Sequence, residues 1–260
     1  MAVLRSIGIG ALAGLAAGLI VGGLGGRIAM RISGAMSDPD FVGSARTANG
    51  NIVGDVTLGG SIAMFMFGAF VPSMAAGLWY GVMRPWLLPL GVWRGPLFGF
   101  ALLALAGSLI LEPTNFDFRR FGSPQVNVLT FATLIVLLGL AIAWSAEALG
   151  QLTRRKPFGV LAWIGVLLVL ALIAGFVVVV IAAALEIAAG HLVNAEHVNL
   201  LLLLLAFALP LGLRLTSGRG SLGDRSGPTS RPRLASYLAV GAVPLLALPR
   251  TIDLISLLLR

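Results

Sequence analysis

Residues 7–26 read IGIGALAGLAAGLIVGGLGG, twenty consecutive positions with no charged and no hydrogen-bonding side chain. At about 1.5 Å of rise per residue this run makes a helix of roughly 30 Å, the thickness of a bilayer's hydrocarbon core. Lipid offers the backbone no partners, so a segment lying there must bond its own N–H and C=O groups, as a helix does. Six more apolar runs follow: Val56–Met83, Pro96–Leu111, Val126–Ala146, Phe158–Leu185, Val198–Leu213 and Leu234–Leu248. The chain is therefore expected to be all-α, a polytopic transmembrane helix bundle of about seven spans. Six or eight are also admitted, because the third, sixth and seventh runs are short. The seventh either extends through Pro249 to Leu259 or continues as an interfacial helix.

Composition excludes the alternatives. Of 260 residues 58% are hydrophobic and 11% charged, with a mean hydropathy of +1.00. A soluble domain carries roughly a quarter of charged residues, and a disordered chain needs low hydrophobicity and high charge. With no cysteine, disulfides, thiol chemistry and cysteine-based metal sites are excluded.

Orientation follows from the basic residues, which are retained on the cytoplasmic side of a span. With seven spans the amino-terminal side holds Arg5, Arg84, Arg94, Arg154, Arg155, Lys156, Arg214, Arg219, Arg225, Arg231 and Arg233 against Glu147 and Asp224. The other side holds seven basic and eight acidic residues, so the two faces carry +9 and −1. This predicts a cytoplasmic amino terminus and an extracytoplasmic carboxyl terminus. All five tryptophans and both tyrosines fall near span ends on the side read as cytoplasmic, where amphipathic rings settle at headgroup level. The formal charge of +8 reads as a membrane-surface signature; scattered over short loops, it does not form a nucleic-acid face. Arg5 and the first run could pass for a signal peptide, but the run exceeds the usual roughly 7 to 15 apolar residues and lacks a clear A-x-A site before Arg27. It is read as a retained span.

Two packing regimes are expected within one bundle. Residues 1–156 form a four-span half that holds all seven methionines, with 20 of the 34 glycines in the first 100 positions; residues 157–260 form a Leu/Val-rich three-span half. Residues 216–233, TSGRGSLGDRSGPTSRPR, have linker composition and are read as flexible and cytoplasmic. No internal repeat is evident.

Gly10, Gly14, Gly18, Gly22 and Gly26 stand at a strict spacing of four. On a helix they make one groove, a glycine zipper, where a second backbone can approach closely. The partner is either another span of this chain or a second copy. At the outer end of that helix Arg27 and Arg31 lie one turn apart. Asp55, Glu112 and Glu186 mark outer ends of other spans, and Asp117, Arg119 and Arg120 lie in the loop LEPTNFDFRRFGSP. These charges are expected to form a ring of ion pairs at the outer interface, able to hold an anionic solute or headgroup, or else simply to mark span ends.

No motif carries catalytic chemistry. His191 and His197, with Glu186 and Glu196, do not share a helix face or a zinc-ligand spacing. Asp38-Pro39-Asp40 is a lone acidic pair, and Pro124-Gln125 a lone dipeptide. No charge falls in the middle of a span, which argues against a proton pump or a voltage sensor. The sole lysine, Lys156, lies in a loop, so a Schiff base within a span is excluded. No metal and no cofactor is expected. Pro72, Pro210 and Pro244 interrupt spans and can kink them.

In GGRIAMRI, NGNIVGDVTLGGSIA and NFDFRRFGSP the chain resembles uncharacterised multispanning membrane proteins of high-GC bacteria such as actinobacteria, over roughly residues 20 to 150. The resemblance implies a shared functional face at the glycine–arginine end of the first helix and the two outer loops, and no activity; the chain is read as a bacterial plasma-membrane protein. The expected function is that of a non-enzymatic membrane protein engaging lipid, a partner protein or a second copy through that face. The alternative is a permease or channel for a small neutral or anionic solute, with Arg27, Arg31 and Arg120 guiding entry.

Overall fold

The structure, a computed structural model, describes residues 2–47, 50, 52–53, 57–63, 65, 70–111, 120–154, 195–219 and 234–259. These residues are helical apart from loops and one isolated bridge between Arg46 and Ile52. The helices are α1 (Ala2–Ala17), α2 (Gly26–Ala35), α3 (Leu58–Ala63), α4 (Val71–Leu87), α5 (Arg94–Ile110), α6 (Pro124–Arg154), α7 (Ala195–Arg219) and α8 (Leu234–Leu258), with a π-helical segment Gly18–Gly25 joining α1 to α2. Several are long and apolar enough to cross a membrane. Described helices overlap the first, third, fourth, sixth and seventh expected spans; the second, Val56–Met83, is divided between α3 and α4, and the fifth, Phe158–Leu185, lies outside the described residues. The run ending at Leu248 is one helix to Leu258, the extended form of the two admitted. α7 likewise continues to Arg219 and takes in the first four residues of the expected linker.

Residues 71–107 are mostly apolar and almost continuously helical, with Arg84 and Arg94 the only charges, yet they do not form one rod. Gly91 adopts φ 57°, ψ −122° inside the short turn Leu88–Trp93, a region that a side chain would strain. The chain reverses there, which lets the rings of Trp79 and Phe98, nineteen positions apart, pack at a 42° tilt with centroids 5.1 Å apart.

The core runs between α1, α4, α5, α6, α7 and α8, so helices from both halves of the sequence share it. α1 and α4 lie antiparallel with their backbones almost touching. A Cβ on Gly10 would fall 2.9 Å from the Gly81 Cα, and one on Gly77 2.7 Å from the Gly14 Cα. The glycines of α1 therefore meet a matching series on α4, Ser73, Gly77 and Gly81, again four apart. α5 and α6 repeat the device: a Cβ on Gly99 would lie 3.0 Å from the Val136 Cα, and one on Gly139 2.6 Å from the Gly99 N. Such contacts matter in lipid, where helices gain by packing rather than by leaving water.

The single groove expected along Gly10 to Gly26 is broken at the π segment. With i→i+5 bonding the turn is wider, so the next residue on the buried side is five positions on. Gly18 and Gly23 are the buried members of the segment, and a Cβ on Gly23 or Gly25 would strike Phe65 or Leu134. Gly26 is buried at the start of α2.

Prolines leave helix carbonyls without donors, and other helices supply them. Pro85 has no N–H for the carbonyl of Gly81, four residues earlier. That oxygen accepts instead from Ser6 Oγ at 2.8 Å and from Arg214 Nη1 at 2.7 Å. Pro210 similarly frees the carbonyl of Ala206, which accepts from Trp79 Nε1 at 2.9 Å. Three helices are thus tied to α4 or α7 at places where the backbone ladder is open. Trp86 Nε1 donates to Ser236 Oγ at 3.1 Å, and Thr251 Oγ1 donates to the Ala104 carbonyl at 2.9 Å; both bonds anchor α8.

The aromatic residues divide. Trp93 and Trp144 are 65% and 77% exposed, as interfacial rings would be, whereas Trp79, Tyr80 and Trp86 are buried at 5% exposure or less. The reading that set all of them at headgroup level fails for these three. Neighbouring helices cover them, and the two indole N–H groups have partners within the protein.

Candidate functional site

Polar and charged groups gather at two ends of the bundle, separated by the length of α1 and the π segment. From Ser6, beside Gly81, to Arg27 is twenty-one residues, roughly 30 Å of helix.

At the Arg27 end, α2 carries Arg27 and Arg31 one turn apart with Ile28, Ile32 and Ala35. These five residues share one face of α2 and line a shallow, open and largely apolar surface. Arg27 Nη2 donates to Ser61 Oγ of α3, while its Nε is buried and has no hydrogen-bond partner. Arg31 is exposed, as are Ile28 and Ile32 at 61% and 40%. The far end of α2 is tied to the start of α6. Ser33 Oγ donates to the Phe121 carbonyl at 3.3 Å, and Asn127 Nδ2 donates to the same oxygen at 2.8 Å. Gly122, at φ 70°, lies against Ser33, where a Cβ would come 2.7 Å from its carbonyl oxygen. Arg120 lies with its guanidinium 5.0 Å from the Phe41 ring centroid and 5.8 Å from that of Phe121, and the two rings meet edge to face at 6.0 Å. The phenyl faces hold that cation by their quadrupoles.

Of the charges expected to form a ring here, Arg27, Arg31 and Arg120 are described. Asp55, Glu112, Asp117, Arg119 and Glu186 lie outside the described residues. The ion pairs expected of Arg27 and Arg31 are not found among the described residues: Arg27 bonds a hydroxyl, and the ion pairs that are found lie at the opposite end.

There, α4, α5, α6 and α7 bring Arg84, Arg94, Glu147 and Arg214 together. Arg84 grips Glu147 with Nε and Nη2, at 3.2 Å to Oε1 and 3.3 Å to Oε2. Arg94, the first residue of α5, approaches Oε1 to 3.9 Å. Arg214 Nη1 caps the Gly81 and Val82 carbonyls at 2.7 and 3.4 Å, within electrostatic reach of Arg84. The sequence treats these residues as orientation markers. It holds the signal for their partnership only in that Glu147 is one of two acids on a side with eleven cations.

Comparison with known protein families, with characterised proteins and with solved structures finds no match. The chemistry is therefore read from the side chains alone.

Proposed function

We propose that the chain is a non-enzymatic integral membrane protein that binds an anionic lipid headgroup at the Arg27 end. The observation that carries this reading is one face of α2, where Arg27 and Arg31 flank an open apolar strip of Ile28, Ile32 and Ala35. A phospholipid offers a phosphate to the arginines, which form charge-assisted and bidentate bonds, and an acyl chain to the isoleucines. The assembly reading loses weight at Gly10 and Gly14, whose close-approach face is filled by α4 of the same chain. The permease reading needs a polar route from Arg27 to Arg84, and among the described residues the α1–α4 seam does not provide it. In the proposed topology the protein lies in a bacterial plasma membrane, with its amino terminus cytoplasmic, its carboxyl terminus outside and the α2 face toward the outer leaflet. The arginine distribution supports this orientation.

The test is native mass spectrometry of the protein extracted from its membrane. The wild type is expected to retain phospholipid that the Arg27→Gln/Arg31→Gln variant releases at lower collision energy. Equal retention by the two, with equal thermal stability, refutes the reading.

A further inference from the structure

At the Arg84 end two guanidinium groups, Arg84 and Arg94, meet one carboxylate, Glu147, and a third, Arg214, caps the Gly81 and Val82 carbonyls beside them. Among the described residues Glu147 neutralises one of them, leaving two positive charges in excess. The site is not an open surface: the side chains of Arg84, Arg94 and Glu147 are 20%, 29% and 18% exposed. Cations this far out of water are costly without counter-charge. A second, independent observation is the Tyr80 hydroxyl. Tyr80 is fully buried, its Oη has no hydrogen-bond partner, and it lies within electrostatic reach of Glu147, Arg94 and Arg84. A buried hydroxyl is ordinarily bonded, and a phenol O–H can donate to an anion.

We propose that the Arg84 end is a second anion site, in which Arg84, Arg94 and Arg214 take a phosphate group, either as the headgroup of an anionic lipid or as free phosphate. The fork of each guanidinium matches two phosphate oxygens. Glu147 orients Arg84 and Arg94, and Tyr80 Oη donates to an oxygen turned into the protein. The Gly81 and Val82 carbonyls hold Arg214 by one nitrogen, which leaves its remaining N–H groups for the anion. This site stands on residues remote from the Arg27 face and does not depend on it.

The experiment measures thermal unfolding of the full chain in detergent with inorganic phosphate against chloride at matched ionic strength, and in nanodiscs of phosphatidylglycerol against phosphatidylcholine. Three variants run beside the wild type: Arg94→Gln, which keeps the Arg84–Glu147 pair; Tyr80→Phe, which removes one oxygen; and Arg27→Gln/Arg31→Gln. The wild type is expected to gain several degrees. Arg94→Gln should need about tenfold more phosphate or phosphatidylglycerol for the same shift, the loss of one charge-assisted bond. Stabilisation by phosphatidylglycerol alone assigns the site to lipid; stabilisation by inorganic phosphate assigns it to a free anion. Should Arg94→Gln fail to fold, a weakened response in Tyr80→Phe carries the test. The proposal falls if the wild type responds to neither anion, if Arg94→Gln and Tyr80→Phe respond as the wild type does, or if the response disappears in Arg27→Gln/Arg31→Gln.

Discussion

Replacing the Trp79 indole by a phenyl ring tests whether the open carbonyl at Pro210 is a real tie between α4 and α7. Trp79, Ala206 and Pro210 are all at or below 2% exposure, so water cannot replace the bond from Trp79 Nε1 to the Ala206 carbonyl. The Trp79→Phe variant leaves that oxygen with no donor, since Pro210 has no N–H to give. The unmet acceptor costs about 1–3 kcal/mol, and the missing indole atoms leave a cavity worth about 1 kcal/mol more. In a Pro210→Ala background the backbone N–H returns and caps Ala206 from within α7. Trp79→Phe should then cost only the packing part. The double-mutant cycle is expected to show a coupling of about 1–2 kcal/mol, which is resolvable because contacting residues commonly couple by about 0.5–3 kcal/mol. Reversible unfolding in mixed micelles by titrated SDS, followed by far-ultraviolet circular dichroism, measures all four corners. If Trp79→Phe costs the same with Pro210 intact as in the Pro210→Ala background, the bond does not compensate for the proline and the argument is wrong.

Gly77→Ala should destabilise by about 1–3 kcal/mol, the cost of overpacking, because its methyl group meets the α1 backbone. Gly8→Ala on α1 finds open space and should be neutral or stabilising by up to about 1 kcal/mol; the same unfolding assay ranks them, and an equal effect counts against close approach. Glu147→Gln should lower stability by about 1–3 kcal/mol, more at low salt than at high salt. Asp253→Asn, at an exposed position, should change it by less than about 0.5 kcal/mol. The absence of native cysteine makes single-cysteine labelling clean. Ser44→Cys should react with an impermeant maleimide in intact cells and Gln151→Cys only after permeabilisation, whereas the reverse pattern overturns the proposed orientation.

The long helices were legible because twenty apolar residues in a row admit few other readings, as Ile7–Gly26 illustrates. The site was less so, for reasons that differ by residue. A tryptophan near a span end looks the same whether it faces headgroups or a neighbouring helix, and only the reversal at Gly91 puts Trp79 against Phe98. A proline announces the bond it removes but not the donor that replaces it, so Arg214 and Ser6 could not be assigned to Gly81 beforehand. The four-residue spacing of glycines implies an α period throughout, which holds for Gly10 and Gly14 and lapses where the backbone changes its bonding. Ser73, Gly77 and Gly81 carried the same spacing on the partner helix and were a readable signal that the first pattern overshadowed.

The π segment also sets the azimuth of everything beyond it. Each residue of an α-helix advances the chain by about 100° around its axis, so trading one residue between wide and ordinary coil would swing Arg27 and Arg31 by more than a quarter turn about the bundle. The compass bearing of that cationic face is therefore held by the eight residues Gly18–Gly25. Recasting the same eight residues as ordinary α-helix, with none removed, would redirect the face without touching either arginine.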